Sequence, residues 1–199
     1  MSVLTLFTGG KRLHAETGDP RRGAPSDGEV VRAVLAGDRE RYAVLVERYR
    51  DRYARYAARM LGSSDAAEDA VQDAFVRAYD QLAQCQDPNK FVGWFFLILR
   101  NRCFAEQRKS RSHVSLEAAS SVPTGDRSDA GTETAERRRA LQEALMGLTA
   151  EQREVFVLKH VEGLSYIQIA ERLNTSVPSL KMRMHRAYDK LREQLRDQA

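Results

Sequence analysis

The residues best placed to do chemistry lie near the C-terminus, in residues 163–191, GLSYIQIAERLNTSVPSLKMRMHRAYDKL. Ser179, Lys181, Met182, His185 and Arg186 fall on one side of a predicted helix, with Arg183 on its flank. Val177, Leu180, Met184, Ala187 and Leu191 recur at three- and four-residue steps on the other side and form an apolar stripe. A cationic, exposed face on the second helix of a helix-turn-helix suits phosphate oxygens and the guanine edges of a major groove. A solvated face on a bundle helix has the same charge pattern, so the local punctuation has to decide. Ser165 and Gln168 have capping-box spacing, and Leu164 and Ile169 can staple the same end. Gly163 suits a left-handed stop for the preceding helix. Ile167, Ala170 and Leu173 are expected to face inward, and Asn174, which tolerates positive φ, to break the first helix. Ser176 is the expected N-cap of the second helix, with Pro178 in its first turn, where a missing N–H costs little. Together these signals favour the DNA-binding reading.

Two further charged groups need explaining. A predicted helix over 66–82 carries Glu68, Asp69, Gln72 and Asp73 on its outer face. The helix dipole accounts for acids in a first turn, but Asp73 lies about two turns in. Downstream, Arg100, Arg102, Arg108, Lys109 and Arg111 are answered locally only by Glu106. Such a patch meets nucleic acid or answers the C-terminal dipole of its own helix. Nothing in the chain resembles a catalytic set: there are no paired carboxylates, nucleophile triad, phosphate-binding loop or metal cluster. The four histidines (14, 113, 160 and 185) fall in an expected tail, a linker, a helix end and the DNA face, which argues against an enzyme. His185 is not expected to ligate metal, no second ligand being read at i±4. Cys85 and Cys103 lack metal-ligand spacing and are expected as free thiols. No cofactor is expected.

These groups must be held by helices. The chain has 199 residues, 30% charged and 42% hydrophobic, with 12 Gly, five Pro and a net charge of +4. Residues 1–27 are rich in Gly, Pro and charge and are expected to be a disordered tail. Helical periodicity runs through 28–110, with helices expected at 29–36, 39–61, 66–82 and 91–108. Ser64 or Asp65 is the expected cap of the third, and Asp87-Pro88-Asn89 marks a turn before the fourth. Residues 111–131 are Ser-, Ala- and Asp-rich without periodicity and read as a linker; helical pattern returns over 132–199. The expected fold is all-α: two small helical domains on a flexible tether. No apolar run reaches the roughly 18 residues that span a bilayer, and the 3–7 stretch is too short for a signal-peptide core, so a cytoplasmic protein without membrane insertion is expected.

Four segments in order carry a family resemblance: LVERY (45–49), AEDAVQDAFVRAY (67–79), FVGWFFLILRNR (91–102) and the helix-turn-helix. The chain resembles the sigma factors of bacterial RNA polymerase, in particular the extracytoplasmic-function class, which keeps only regions two and four. The resemblance implies that Asp69, Gln72 and Asp73, with Val76 and Arg77 on the same flank, bind the clamp coiled coil of the largest polymerase subunit. It also implies contact with the flap region. The 84–90 loop would take a base turned out of the minus-ten element, with Gln86, Asn89 and Lys90 as pocket candidates. Asn101 would face DNA, and Arg100, Arg102 and Arg108 would track phosphates. Trp94 matches a family aromatic, but its apolar neighbours favour a core role over a base wedge.

In the minus-thirty-five element, Ser179, Lys181, Met182, Arg183, His185 and Arg186 would read the major groove, Lys181 and Arg186 being the best placed for guanine or phosphate. The tether, mildly acidic at Glu117, Asp126 and Asp129, would thread near the active-site cleft and RNA exit path. An anti-sigma factor is implied as a further partner. Two residues depart from the pattern: Leu97 stands where a polar or basic residue is common, and Asn174 replaces the usual turn glycine. The rival reading is a stand-alone helix-turn-helix regulator, with 29–109 serving as a dimerisation or sensor domain.

Overall fold

The computed structural model describes residues 25–114 and 132–196. Among these there are eight α-helices and no strand. They divide into two compact units, one on each side of the undescribed segment 115–131. Neither the body of the expected linker nor residues 1–24 falls within the described residues.

The first unit holds α1 (Asp27–Leu35), α2 (Tyr42–Leu61), α3 (Ser64–Asp80) and α4 (Phe91–Val114). Its boundaries correct several expectations. Helix α1 starts inside the expected tail, because Ser26 and Glu29 form a complete capping box. A 3-10 turn over Arg39–Arg41 precedes α2, which begins at Tyr42 rather than at 39. The cap of α3 is Ser63, not Ser64 or Asp65: its hydroxyl accepts from the Ala66 amide. Helix α3 then stops at Asp80, leaving Leu82 buried in a separate turn. Helix α4 runs past 108 to Val114, so the first residues expected as linker are helical.

Aromatic packing holds this unit together. Phe75 of α3 stacks on Phe95 of α4 with centroids 4.3 Å apart, and Tyr53 of α2 lies 5.0 Å from the same ring. Tyr42, Tyr53 and Tyr56 are buried on α2, whereas Tyr49 is half-buried. Two of the buried hydroxyls reach carbonyls, which offsets the cost of burying them: Tyr42 donates to Phe75 O at 2.8 Å and Tyr53 to Val92 O at 3.2 Å. Buried Gln107 donates from Nε2 to Met60 O at 2.6 Å, tying the later turns of α4 to the end of α2. Both cysteines are buried free thiols.

The second unit holds α5 (Thr132–Met146), α6 (Ala150–Phe156) continued by a π-helical turn (Val157–Val161), α7 (Tyr166–Leu173) and α8 (Val177–Arg196). Thr149 and Gln152 form a capping box on α6. Arg153 is almost wholly buried and donates to the carbonyls of Leu145 (2.8 Å), Met146 (2.9 Å) and Leu148 (3.2 Å). Its guanidinium therefore serves the end of α5, whose last carbonyls have no helical donor. No described helix is long and apolar enough to cross a membrane.

Candidate functional site

The helix-turn-helix is α7 and α8, and most of its local signals act as read. Gly163 is left-handed at φ 69°. Ser165 and Gln168 complete a capping box, and Leu164 and Ile169 are both buried against that end. Asn174 closes α7 at φ 48°, and the Ser176 hydroxyl accepts from the Ser179 amide at 3.3 Å. Leu180, Met184, Ala187 and Leu191 are buried, with Val177 half-buried at the start of the stripe. Ile167 is the exception: expected inward, it is 65% exposed, and Ile169 fills the core beside Ala170.

The opposite face of α8 presents Lys181, Met182, His185 and Arg186 to solvent, with Ser179 and Arg183 partly covered. Met182 is 58% exposed, an apolar group in a cationic field. A second ligand type does stand at i+4 from His185, contrary to expectation. Asp189 accepts the Nδ1 side of the ring at 2.8 Å, which orients the imidazole along the helix. No group of three or more metal-ligating side chains occurs among the described residues.

In the first unit, α3 exposes Asp69, Gln72, Val76 and Arg77, with Asp73 partly covered between them. Val76 is 54% exposed, so the acidic face carries an apolar centre. One Asp73 oxygen lies 2.9 Å from Arg77 Nε and 2.7 Å from Arg102 Nε. Arg102 also lies 3.7 Å from Glu106. The two surfaces read separately in the sequence thus meet at one carboxylate. Arg102, expected on phosphates, is held toward α3 instead.

Asn101 and Arg108 are exposed, and Arg100 lies over the Phe104 ring at 4.5 Å. Leu97 is 42% exposed, one turn before Asn101 on the same face. Trp94 is half-buried with its ring 6.1 Å from Phe91, leaving part of the indole at the surface.

The loop before α4 is built on Asp87. Its Oδ1 accepts from the Asn89 amide at 3.0 Å and from Asn89 Nδ2 at 3.2 Å, and Lys90 Nζ lies 3.8 Å from Oδ2. Gln86, Asn89 and Lys90 are all exposed, so the three pocket candidates border one open turn. Cys85 beneath them donates to Asp87 O at 3.4 Å. Burial, and then the nearby Asp87 charge, push its thiol pKa upward, which disfavours the reactive thiolate.

Comparison with known proteins decides what this arrangement is. Residues 45–113 match Sigma-70 region 2 and residues 138–191 match Sigma-70 region 4. The ECF RNA polymerase sigma factor SigW of Bacillus subtilis is 32% identical over 178 residues, covering 84% of this chain and 95% of SigW. SigM of Mycobacterium tuberculosis, also an ECF RNA polymerase sigma factor, is 31% identical over 166 residues and 83% of each chain. The chain belongs to the ECF sigma factors. Among solved structures, CnrH, determined in complex with the cytosolic domain of CnrY, superposes with a TM-score of 0.63 at 28% identity. That match covers 88% of this chain and all of CnrH.

Within this sigma factor, three features escaped the sequence reading. Arg153, which carried no sequence signal, closes α5 from inside. Arg102 looked like a DNA ligand but pairs with Asp73. His160 looked incidental but meets the Tyr188 hydroxyl at 2.7 Å, joining the π-helical turn to α8. Its pKa is lowered by burial and then by Lys159, so the neutral imidazole is favoured there. None of these pairings has a sequence signal, because each joins residues from different elements.

Proposed function

We propose that this ECF sigma factor holds RNA polymerase and its promoter through two anchors, and that the described surfaces divide the work. The region 2 unit, assigned to residues 28–110, docks on the clamp coiled coil through Asp69, Gln72 and Asp73, with Val76 and Arg77 beside them. The exposed, mixed acidic and apolar face of α3 supports this: charges orient the encounter and Val76 adds area that gains from leaving water. The loop with Gln86, Asn89 and Lys90 takes the minus-ten base, while Arg100, Asn101 and Arg108 follow the strand. Arg102 joins them only once its tie to Asp73 is broken.

The region 4 unit, assigned to 132–199, lays α8 in the minus-thirty-five major groove, contacts the flap region, and is tethered by 111–131. Ser179, Lys181, Met182, Arg183, His185 and Arg186 face the bases and phosphates. The work is binding and strand opening, done in the cytoplasm with the polymerase, and the chain supplies no catalytic group of its own. An anti-sigma factor is the expected brake: the related CnrH has been captured with the cytosolic domain of CnrY.

The observation that carries this reading is a polar, exposed α3 face in one unit and a cationic, exposed α8 face in the other, each on a buried scaffold. Run-off transcription with purified core polymerase on genomic fragments is the test. Discrete start sites are expected with the wild-type chain, and loss of core co-purification in Asp69→Ala/Gln72→Ala. Tight binding to palindromic DNA with no polymerase association would point instead to a stand-alone regulator.

A further inference from the structure

The first turn of α1 is fixed unusually firmly for an element at the edge of its unit. The Ser26 amide donates to the Glu29 carboxylate at 2.7 Å, and the Glu29 amide to Ser26 Oγ at 3.3 Å. Tyr49 donates its hydroxyl to Asp27 at 2.5 Å, and Arg48 pairs with the same carboxylate. The second guanidinium nitrogen of Arg48 donates to Pro25 O at 2.8 Å. The Asp27 and Arg48 side chains are only 15% and 16% exposed. This network clamps the start of α1 to α2, yet nothing in the core-binding or DNA-binding surfaces described above uses it.

What the clamp holds in place is Gly28. This glycine is buried, and a Cβ built there would fall 2.1 Å from Asn89 Oδ1 and 3.0 Å from Asn89 Cγ. The Asn89 side chain therefore lies directly on bare helix backbone. Its other end is held too, since Nδ2 and the Asn89 amide both donate to Asp87 Oδ1. With Nδ2 bonded to Asp87 and Oδ1 packed against the bare helix, the amide has a fixed plane and a fixed donor and acceptor order. That order is what a base edge reads. One Nδ2 proton remains for an incoming group.

We propose that Gly28 is a positioning residue for promoter opening: its missing side chain lets Asn89 lie flat on α1, presenting one set amide orientation to the extruded minus-ten base. The inference rests on the placing of Asn89 in the minus-ten pocket, and it adds α1 to the machinery. Turning a base out of the stack is costly, so a pocket whose polar group is already oriented avoids a further ordering cost.

Gly28→Ala separates this role from folding. Position 28 is in the first turn of a helix with φ in the ordinary range, and alanine forms helix better than glycine. The close contacts are the far ends of two flexible side chains, Asn89 and, at 3.3 Å, Arg32 Nη1, and both can swing away. The variant is therefore expected to melt at the wild-type temperature or above. Its holoenzyme is expected to lose about ten-fold or more in open complex, read by permanganate reactivity of melted thymines, with preference among the four bases at the extruded position weakened. Core affinity is expected to be unchanged. Asn89→Ala should reproduce the loss without touching α1, and the double variant should be no worse than either single one. Wild-type opening and base preference in Gly28→Ala, or additive losses in the double variant, would overturn the proposal. So would an inert Asn89→Ala in a holoenzyme that initiates normally, and in that case the sigma-factor assignment stands. A wild-type chain that fails to start transcription with core would remove both.

Discussion

Asp73 shows how one carboxylate serves two surfaces. It answers Arg77 on its own helix and Arg102 on α4, at 2.9 and 2.7 Å. Neither guanidinium is deeply buried, so the pairs add at most about 1 kcal/mol to stability. Their larger effect is on availability. On the proposed docking, a basic residue of the polymerase would have to compete with Arg102 for Asp73, and an Arg102 displaced in that way would be released toward DNA. Arg102→Ala is therefore expected to leave thermal stability nearly unchanged and to tighten association with core polymerase about two- to five-fold in a fluorescence titration. On a melted minus-ten strand the same variant should bind more weakly. Weaker core binding in Arg102→Ala would mean that the arginine supports Asp73 rather than competing for it.

Helix α8 separates its tasks by face, so substitutions on its two sides should have different signatures. Leu180 is fully buried, and Leu180→Ala should cost about 2–5 kcal/mol in denaturant unfolding because a cavity replaces packed atoms. Arg186 is exposed. Arg186→Ala should leave the unfolding curve in place and lower the slope of log affinity against log salt by about one on minus-thirty-five DNA. If that slope is unchanged while affinity falls at every salt concentration, the arginine reads a base edge through a neutral contact and not a phosphate. Helix α4 is divided along its length instead. Its apolar start is buried among the aromatic rings, and Asn101 and Arg108 lie beyond on the open side. The loop proposed to take the base comes immediately before that buried start.

Two compact units joined through residues 115–131 make promoter recognition an intramolecular problem. Once one unit is anchored, the other samples its target at an effective concentration set by the tether, without any new contact. Supplied as separate chains, residues 25–114 and 132–196 are each expected to melt cooperatively. Together they should restore transcription from core polymerase about 100-fold or more below the intact chain at equal concentration. Recovery close to the intact level would show that each unit binds the polymerase well enough alone for the linkage to be dispensable.

The readable parts of this protein were those in which neighbours along the chain settle the outcome. The caps at Ser165 and Ser176, the left-handed Gly163 and Asn174, and the stripe from Leu180 to Leu191 each depend on residues within about a helical turn or on helical repeat. The same holds for the Asp87 turn before α4. Other outcomes needed the folded chain. Ile167 and Ile169 are equally apolar, and only packing against the rest of the unit sends one to solvent and the other to the core. Arg153 and Arg102 look alike as letters. One is drawn inward by the open carbonyls after α5, the other sideways by a carboxylate on α3. Gly28 meets Asn89 only because α1 is folded back onto the loop before α4. Local propensity acts over a few residues, whereas partners distant in the chain are chosen by packing, and the polar pairings of Arg153 and Arg102 are of that second kind.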